Sequence, residues 1–308
     1  MKQRLQRFPR TIPSTWTGDN INNILYSLVV LLFAGWSLFP CVPDACAASD
    51  KEVQTALQAD LGGQTNPEGL MLSLFGYRRW VRGVDKDLDV PSSYLESGVG
   101  LGSSPAYGRA SFYAEWLAVV FAKLRVQYDR YRFYGTKTSL LSFSSAEDPF
   151  GASDVARLKG TEEAGNGSRL LIRPTLYAKA GPIIIVNQTD LAYFHFTGRG
   201  PYYLEWTYET LLQDNGHLVE NRTNVLYQIT KGPGDVSLLA GPYYEILHTG
   251  TRHLDRQRAG IMASWVPWQH AGSLSRPRFY GQIARYLEDR NRKGENMAAI
   301  GMGFDLDL

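Results

Sequence analysis

Apolar and polar side chains alternate with a period of two along most of the chain after residue 68. This pattern is typical of β-strands that bury one face and leave the other polar. The clearest example is the last segment, 298–308, where apolar residues at even positions alternate with alanine, glycine and aspartate. The alternation therefore predicts an all-β fold.

The connections between these strands are alternately tight and long. Such a rhythm is typical of an antiparallel up-and-down β-barrel, with short turns at one end and longer loops at the other. It predicts ten strands: 69–82, 108–118, 122–134, 169–180, 183–196, 219–230, 236–247, 256–267, 277–288 and 297–308. Two further alternating pieces, 94–102 and 202–212, are interpreted as β-ribbon extensions of the outer loops. If both cross the membrane the count is twelve, but 135–168 then lies in the periplasm, so ten is favoured.

Soluble β-sandwiches also alternate, and three features favour a transmembrane barrel instead. Long charged side chains lie in the middle of strands on the polar face, as expected of a polar lumen. The sequence ends on an alternating strand. Aromatic residues gather near predicted strand ends, where interfacial girdles would place them. These aromatic residues are Trp80, Trp116, Tyr131, Phe133, Tyr134, Tyr243, Tyr244, Trp265 and Trp268.

Two positions depart from the alternation. The phase slips at Arg130, which predicts a β-bulge before Tyr131 and Phe133. Arg285 falls on the apolar face of 277–288. A lipid-facing Arg costs about 2–4 kcal/mol at the bilayer midplane and little near the interface. Arg285 therefore lies at the interface, or a bulge re-phases its strand.

The N-terminal region has the layout of a secretory signal peptide. Four basic residues precede an apolar run over 24–38, and Ala45-Cys46-Ala47 follows as a small-x-small site. This predicts a signal peptide over 1–47, cut after Ala47. The alternative is an inner-membrane anchor, but a run of about 15 residues is short of the ~20 that a spanning helix needs.

The predicted cut divides the rest of the chain into two parts. A short periplasmic segment, 48–68, contains a possible amphipathic helix over 50–60, and the barrel occupies 69–308. Both cysteines precede the cut, so the mature chain can form neither a disulfide nor a cysteine metal site.

Composition and charge narrow the function classes. The 18 Tyr, 13 Phe, 7 Trp and 30 Gly suit strands and turns. A formal net charge of +2 without a basic stripe argues against nucleic-acid binding. The chain contains no GxSxG, HExxH or Walker motif, so we expect no cofactor and no metal, and we assign no catalytic residue.

Charged residues on the polar faces of the strands are the candidate functional residues, because a barrel would point them into its lumen. They are Arg109, Glu115, Arg125, Asp129, Arg169, Arg173, Lys179, Glu220, Arg222, Glu245, Arg258 and Arg278. Eight are basic and four are acidic. They form either an ion-pair network that fills the barrel or a narrow path for small anionic solutes.

Strand number favours the filled barrel. An eight-stranded barrel is just filled by its side chains, whereas porins with aqueous channels have 16 or more strands. The favoured function is therefore a non-enzymatic barrel with a packed polar lumen. It would present loops, chiefly 135–168, at the cell surface.

Histidines near the outer rim suggest a third function. Among them, His195 and His248 have acidic residues close in sequence, and an imidazole paired with a carboxylate can activate water or a serine. This would make the protein a rim hydrolase acting on lipid, peptide or glycan, with His195 or His248 as the base.

The final strand carries one recognisable motif. Gly303, Phe304, Leu306 and Leu308 resemble the C-terminal assembly signal of Gram-negative outer-membrane β-barrel proteins, although that class usually ends on an aromatic residue. The resemblance implies an outer-membrane location, a lipid bilayer environment, and periplasmic chaperones and the barrel-assembly machinery as partners. We expect this strand to pair with 69–82, and its small inward residues to leave room for arginines that meet Asp305 and Asp307.

Overall fold

A computed structural model describes residues 53–66, 68–85, 90–137, 139–231, 237–250, 255–268, 270–271 and 274–308. The predicted signal peptide over 1–47 lies outside these residues. In the part of the chain that the structure describes, no helix is long and apolar enough to cross a bilayer.

Strands make up nearly all of this structure. The twelve long strands are β1 Val53–Thr65, β2 Gly69–Asp85, β3 Val90–Ser103, β4 Tyr107–Val119, β5 Ala122–Tyr134, β7 Ala164–Ala180, β8 Ile183–Thr197, β11 His217–Lys231, β12 Ser237–Thr249, β13 Arg256–Val266, β15 Leu274–Glu288 and β16 Asn296–Asp307. The short elements are β6 Ser142–Phe143, α1 Ala152–Arg157, β9 Tyr202–Glu205, β10 Thr210–Gln213 and β14 His270–Ala271.

The twelve long strands form one closed antiparallel sheet. Each long strand pairs with its neighbours along the chain, β13 pairs with β15, and β16 returns to β1. The closing ladder runs from Ala56 opposite Asp307 to Thr65 opposite Ala298. The predicted antiparallel barrel is confirmed, and within the described ranges it has twelve strands instead of the favoured ten. The two additional strands are 53–65 and 90–103, whereas 202–212 does not join the ring.

The first strand corrects two expectations. The possible helix over 50–60 is wrong, because Val53–Thr65 is β1 and pairs with both β2 and β16. The barrel therefore begins within the segment assigned to the periplasm. The last strand pairs with β1 and not with 69–82. The apolar spacing of Val53, Ala56 and Leu57 suggested a helix, but in the strand Ala56 is buried and Leu57 takes the opposite face.

The other additional strand is β3, interpreted from sequence as a ribbon in an outer loop. It crosses the sheet between β2 and β4. Its inward face carries Gly98, Gly100 and Gly102 after Tyr94 and Glu96, and a Cβ on Gly100 would overlap the Phe75 ring. The absence of a side chain at Gly100 thus leaves room for the Phe75 ring of β2. With two strands added, β2 runs opposite to its predicted direction, while every strand from β4 onward keeps its predicted direction.

The barrel has two different ends. At the turn end, β1 begins, β16 finishes, and the connections 120–121 and 181–182 are tight. At the cap end lie the long connections 135–163 and 198–216. The predicted alternation of tight and long connections holds between β4 and β11, whereas the cap-end connections 66–68 and 104–106 are as tight as those of the turn end.

Large apolar side chains cover the outside of the barrel. Ile300 is 73% exposed, Ile283 67% and Leu101 66%, whereas Asp129 and Arg169 are buried inside. A soluble protein rarely exposes so much continuous apolar surface. A closed sheet also satisfies its backbone hydrogen bonds internally, as hydrocarbon requires. The structure therefore has the apolar exterior and polar interior of a transmembrane barrel.

The aromatic residues divide between the two faces. Trp116, Tyr134, Tyr244, Trp265 and Trp268 are exposed on the outside, and Trp80 is half-buried. The girdle prediction is wrong for Tyr131, Phe133 and Tyr243, which are buried inside the barrel.

The two irregular positions are also resolved. The β4–β5 register continues unbroken past Arg130, so the predicted bulge is absent, and Tyr131 and Phe133 share the inward face with Asp129. Arg285 lies exposed three residues before the end of β15 at the cap end, opposite Asn296. Its register with β16 is regular there, so the rim position accounts for this Arg.

Candidate functional site

The lumen contains a hairpin that the sequence placed outside the barrel. Residues 198–216, called the plug hairpin below, form β9 and β10 with their turn at 206–209. This hairpin was interpreted as a ribbon extending outward, and its turn instead contacts the walls of the lumen. Tyr208 donates from its hydroxyl to Asp190 Oδ2 of β8 at 2.9 Å, and Gln64 of β1 donates to Glu209 Oε1 at 3.1 Å.

The loop 135–163 packs against the plug hairpin. Its strand β6 pairs with β9, and Leu141, Phe143, Phe150, Leu204 and Leu211 form a small hydrophobic core. We call residues 139–163 together with the plug hairpin the cap. The segment expected to be a surface loop therefore has its own core and closes one end of the barrel.

Aromatic side chains hold the plug hairpin against one wall. Phe194 and Phe196 of β8 contact Tyr208 and Tyr203 of the hairpin, with ring centroids 6.0 and 5.2 Å apart. Phe133 of β5 packs on Phe196 at 6.2 Å. This aromatic layer explains why aromatic residues near strand ends face inward.

Ion pairs hold the opposite side of the plug hairpin. The Glu209 carboxylate accepts hydrogen bonds from Tyr286 at 2.6 Å, Arg256 at 3.2 Å and Arg258 at 3.4 Å. Arg292 Nη1 lies 3.8 Å from Glu209 Oε2. All of these side chains are buried.

The same arginines connect the plug hairpin to the wall. Arg256 donates to Glu220 at 3.2 Å and to Glu245 at 2.7 Å. Arg258 donates to Glu245 at 2.9 Å, and Arg222 donates to both glutamates. Four arginines and three glutamates thus form one network, in which losing any member leaves charge buried without its partner.

A second group of ion pairs lies on β4, β5, β7 and β8. Arg169 donates to Asp129 at 2.8 Å, and Asp129 also accepts from Ser111 at 2.6 Å. Arg173 makes a bidentate pair with Asp190 at 2.6 and 2.7 Å. These are charge-assisted hydrogen bonds of the stronger kind.

Toward the turn end the pairs are more open. Glu115 lies 3.3 Å from Lys123 and 3.6 Å from Arg125. Arg278 lies 2.8 Å from Asp60 and 3.3 Å from Asp305. A Cβ on Gly303 would come within 3.0 Å of Arg278 Nε, so the small residues of β16 do leave room for an arginine.

The structure brings eleven of the twelve predicted lumen residues into ion pairs; they are Arg109, Glu115, Arg125, Asp129, Arg169, Arg173, Glu220, Arg222, Glu245, Arg258 and Arg278. The exception, Lys179, is exposed close to the turn end and has no ion-pair partner among the described residues. Sequence reasoning missed Arg256, Glu209 and Arg292. Arg256 has the same strand parity as Arg258, a signal that could have found it.

Exposure separates the basic partners from the acidic ones. Arg222 is 33% exposed and Arg173 29%, while their partners Glu220, Glu245 and Asp190 are at most 3% exposed. Arg278 is 28% exposed, and its partners Asp60 and Asp305 are 24% and 7% exposed. Lys123 and Arg125 are also partly exposed. We call the part of the lumen lined by Lys123, Arg125, Arg173, Arg222 and Arg278 the vestibule. The side chains that it offers to water are mainly cationic.

One carboxyl of the plug hairpin lies away from the arginine network. Glu205 is buried beside the aromatic layer and accepts the Tyr208 backbone N–H at 2.7 Å. Burial raises the pKa of Glu205 above its usual value, and the nearby positive charge of Arg169 opposes this shift.

The rim histidines have acidic neighbours. His195 Nδ1 lies 3.0 Å from Asp214 and His248 Nδ1 lies 3.3 Å from Asp255, with both pairs substantially exposed. Asp190 and Glu245, which also lie close in sequence to these histidines, pair with lumen arginines instead. The rim hydrolase stays a prediction. Within the described ranges, no three His, Cys, Asp or Glu side chains gather as a metal site would require.

The assembly-signal residues lie at the turn end of β16. Gly303 faces inward, Phe304 and Leu306 take the outward face, and Leu308 is largely exposed. A role in assembly stays a prediction.

A closed antiparallel sheet with an apolar exterior and a charged lumen is the architecture of an outer-membrane β-barrel. The beta domain of the Bordetella autotransporter Brka is similar, with 10% identity, 83% of this chain and 99% of that chain covered, and a TM-score of 0.45. The translocator domain of autotransporter NalP from Neisseria meningitidis has 13% identity, 92% and 98% coverage, and a TM-score of 0.35. The KdgM porin has 8% identity, 82% and 99% coverage, and a TM-score of 0.37.

These likenesses concern the fold alone. No protein-family model matches the chain, and no curated protein matches its sequence.

Proposed function

We propose that this protein is an outer-membrane barrel whose resting state does not conduct, because the plug hairpin fills its lumen. The proposal includes export by the signal peptide over 1–47, insertion by the barrel-assembly machinery, and display of the cap at the cell surface. It updates the packed-lumen hypothesis, since a chain segment as well as wall side chains fills the barrel.

One observation carries this proposal. Adjacent residues of the plug turn contact opposite walls, because Tyr208 bonds Asp190 of β8 and Glu209 bonds Gln64 of β1. In the ring of twelve strands, β8 and β1 lie six strands apart. A turn that spans the lumen in this way leaves no wide path through it.

Planar-bilayer recording tests the closed state. We expect no discrete channels from the wild-type protein at any moderate voltage. Replacing 199–214 by a short Gly-Ser linker removes the plug and should produce discrete channels. A matched variant that replaces 152–157 alters the cap but keeps the plug, and it should stay silent. Steady wild-type channels of the same size as those of the hairpin-free variant would overturn the proposal.

Location needs its own measurement. The protein should fractionate with outer membranes and show heat-modifiable migration on a denaturing gel. Recovery of the folded protein in the soluble fraction, without heat modification, would exclude the membrane barrel.

A narrow channel for small anionic solutes is the second candidate function, and the cationic vestibule favours it. Partly exposed arginines with buried carboxylate partners attract anions into the turn end. In this version the plug hairpin is displaced during transport. Anion-over-cation selectivity of the hairpin-free channel would support it, and cation selectivity would exclude it.

A further inference from the structure

The Glu209 carboxylate lies in a cradle that is built from separate parts of the barrel. Its Oε1 accepts from Gln64 of β1 and Arg258 of β13, and its Oε2 accepts from Tyr286 of β15 and Arg256 of β13. Arg292, from the connection between β15 and β16, lies next to Oε2. Apart from Glu209 itself, every one of these groups belongs to the barrel wall or its rim.

The cradle has more donors than Glu209 satisfies. Arg292 is only 2% exposed, and its Nε and Nη1 have no hydrogen-bond partner among the described residues. The Arg256 Nε is likewise buried without a described partner. Unsatisfied buried donors of this kind are unfavourable, so the site has unused capacity for an anion.

Charge points the same way. The connected network holds four arginines, Arg222, Arg256, Arg258 and Arg292, against Glu209, Glu220 and Glu245. With Glu209 in place the count is four to three, and without it the wall keeps four positive charges and two negative ones. An empty cradle would therefore be a strongly cationic buried site.

Glu209 has a φ of +53°, in the left-handed region that residues other than glycine disfavour. The turn thus keeps a glutamate at a position where glycine would be less strained.

We propose that Arg256, Arg258, Arg292 and Tyr286 form a binding site for the carboxylate group of a small anionic solute, and that Glu209 occupies it as an intramolecular ligand. A flat carboxylate fits between guanidinium groups and a tyrosine hydroxyl as Glu209 does now. Solute would approach through the vestibule, where Arg222 pairs with Glu220 and Glu245 of the same network. The inference rests on the proposed closed barrel, since the hairpin must leave for a solute to replace its carboxylate.

Removing the internal ligand tests the site. Glu209→Ala leaves the cradle intact and vacates the carboxylate position, so added acetate should fill it. We expect sodium acetate to raise the thermal unfolding temperature of detergent-solubilised Glu209→Ala saturably, relative to sodium chloride at equal ionic strength. The wild-type protein should show no such rise, because Glu209 already fills the site.

Two controls define the outcome. Adding Arg292→Gln to Glu209→Ala should weaken acetate binding about tenfold or more, because a charged donor is lost. Glu163→Ala removes a cap carboxylate that bonds Ser142 and the Arg199 backbone instead of the arginine network, and it should not respond to acetate. An equal acetate response in Glu209→Ala and Glu163→Ala would overturn the site. Inorganic phosphate binding as tightly as acetate would overturn its carboxylate preference.

Folding of the variant is covered by a second readout. If Glu209→Ala does not refold in chloride, acetate present during refolding should restore the heat-modifiable barrel, and failure to restore it would overturn the proposal. Neither readout uses conductance. Wild-type channels would reject the closed resting state, whereas the absence of an acetate response in Glu209→Ala would reject the carboxylate site. The two failures are therefore distinguishable.

Discussion

The two halves of the lumen contain the same types of charged side chain and expose them to water differently. In the cap half, Arg256 and Arg292 are each 2% exposed and the plug hairpin covers them. In the vestibule, Arg173 and Arg278 are 29% and 28% exposed. Water screens the vestibule pairs, whereas the cap pairs must satisfy one another. Breaking a buried ion pair beneath the cap should therefore destabilise the barrel. Breaking an exposed pair of the vestibule should mainly change the electrostatic potential in the lumen.

Removing one arginine from each half should separate these consequences most strongly. Arg256→Ala leaves buried Glu209, Glu220 and Glu245 short of a partner and should lower the free energy of unfolding by about 3–5 kcal/mol. Arg278→Ala, in the vestibule, should lower it by about 1 kcal/mol or less. Urea unfolding in lipid vesicles measures both. Equal losses would show that the two halves do not differ in the way proposed.

Charge removal in the vestibule should change ion selectivity more than it changes stability. In the hairpin-free barrel, the double variant Lys123→Gln/Arg125→Gln leaves Glu115 without its two cations, so anion preference should fall. The reversal potential across a potassium chloride gradient reports this change. Arg157→Gln/Lys159→Gln removes two charges from the exposed part of the cap and serves as the matched control. A similar shift in both would mean that the vestibule does not set selectivity.

Two tyrosine hydroxyls offer a smaller comparison. Tyr131, in the cap half, has a buried hydroxyl with no partner among the described residues, so Tyr131→Phe should stabilise the barrel by about 1 kcal/mol. Tyr113 donates to Glu96 at 2.9 Å, so Tyr113→Phe should destabilise it by about 1.5–3 kcal/mol. If both substitutions changed the free energy of unfolding in the same direction, this assignment would be contradicted.

The smallest effect should be the pH dependence of the plug hairpin. Burial raises the pKa of Glu205 from its usual 4.5, so the folded state holds this proton more tightly than the unfolded state does. The stability of the hairpin is then complete below about pH 4.5 and falls as pH rises through the raised pKa. Hydrogen exchange over 202–213 should show less protection in the wild type than in Glu205→Gln at neutral pH, and equal protection at low pH. A constant difference at every pH would exclude Glu205 as the cause.

Alternation predicted ten of the twelve barrel strands, because a strand with one lipid face and one charged face has a strong period of two. It failed where one face lost that contrast. β3 has inward glycines that resemble turn residues, and β1 has alanine, leucine and valine at helix-like spacing. The lengths of the connections could not reveal the two missed strands, because β1 and β3 flank β2 and adding both leaves the pattern of the later connections unchanged.

The plug hairpin could not be predicted for a different reason. Alternation in 202–212 fits a ribbon that points outward or inward equally well. Its direction depends on partners such as Asp190, Arg258 and Tyr286, which are distant in sequence. The inward placement of Tyr131 and Phe133 has the same origin, since their packing partners lie on β8 and the hairpin. The charged lumen residues were predictable because parity alone places them inside.

The Glu209 contacts also bear on how the barrel closes during folding. The ladder between β1 and β16 joins segments separated by more than 230 residues, and such distant pairings form slowly. On one side of this seam Gln64 bonds the Glu209 carboxylate, and across β16 Tyr286 bonds the same group. The hairpin therefore bonds to both strands that flank the last one. Its turn acts as a clasp for the seam, and a barrel lacking it should close more slowly even where its final stability is unchanged.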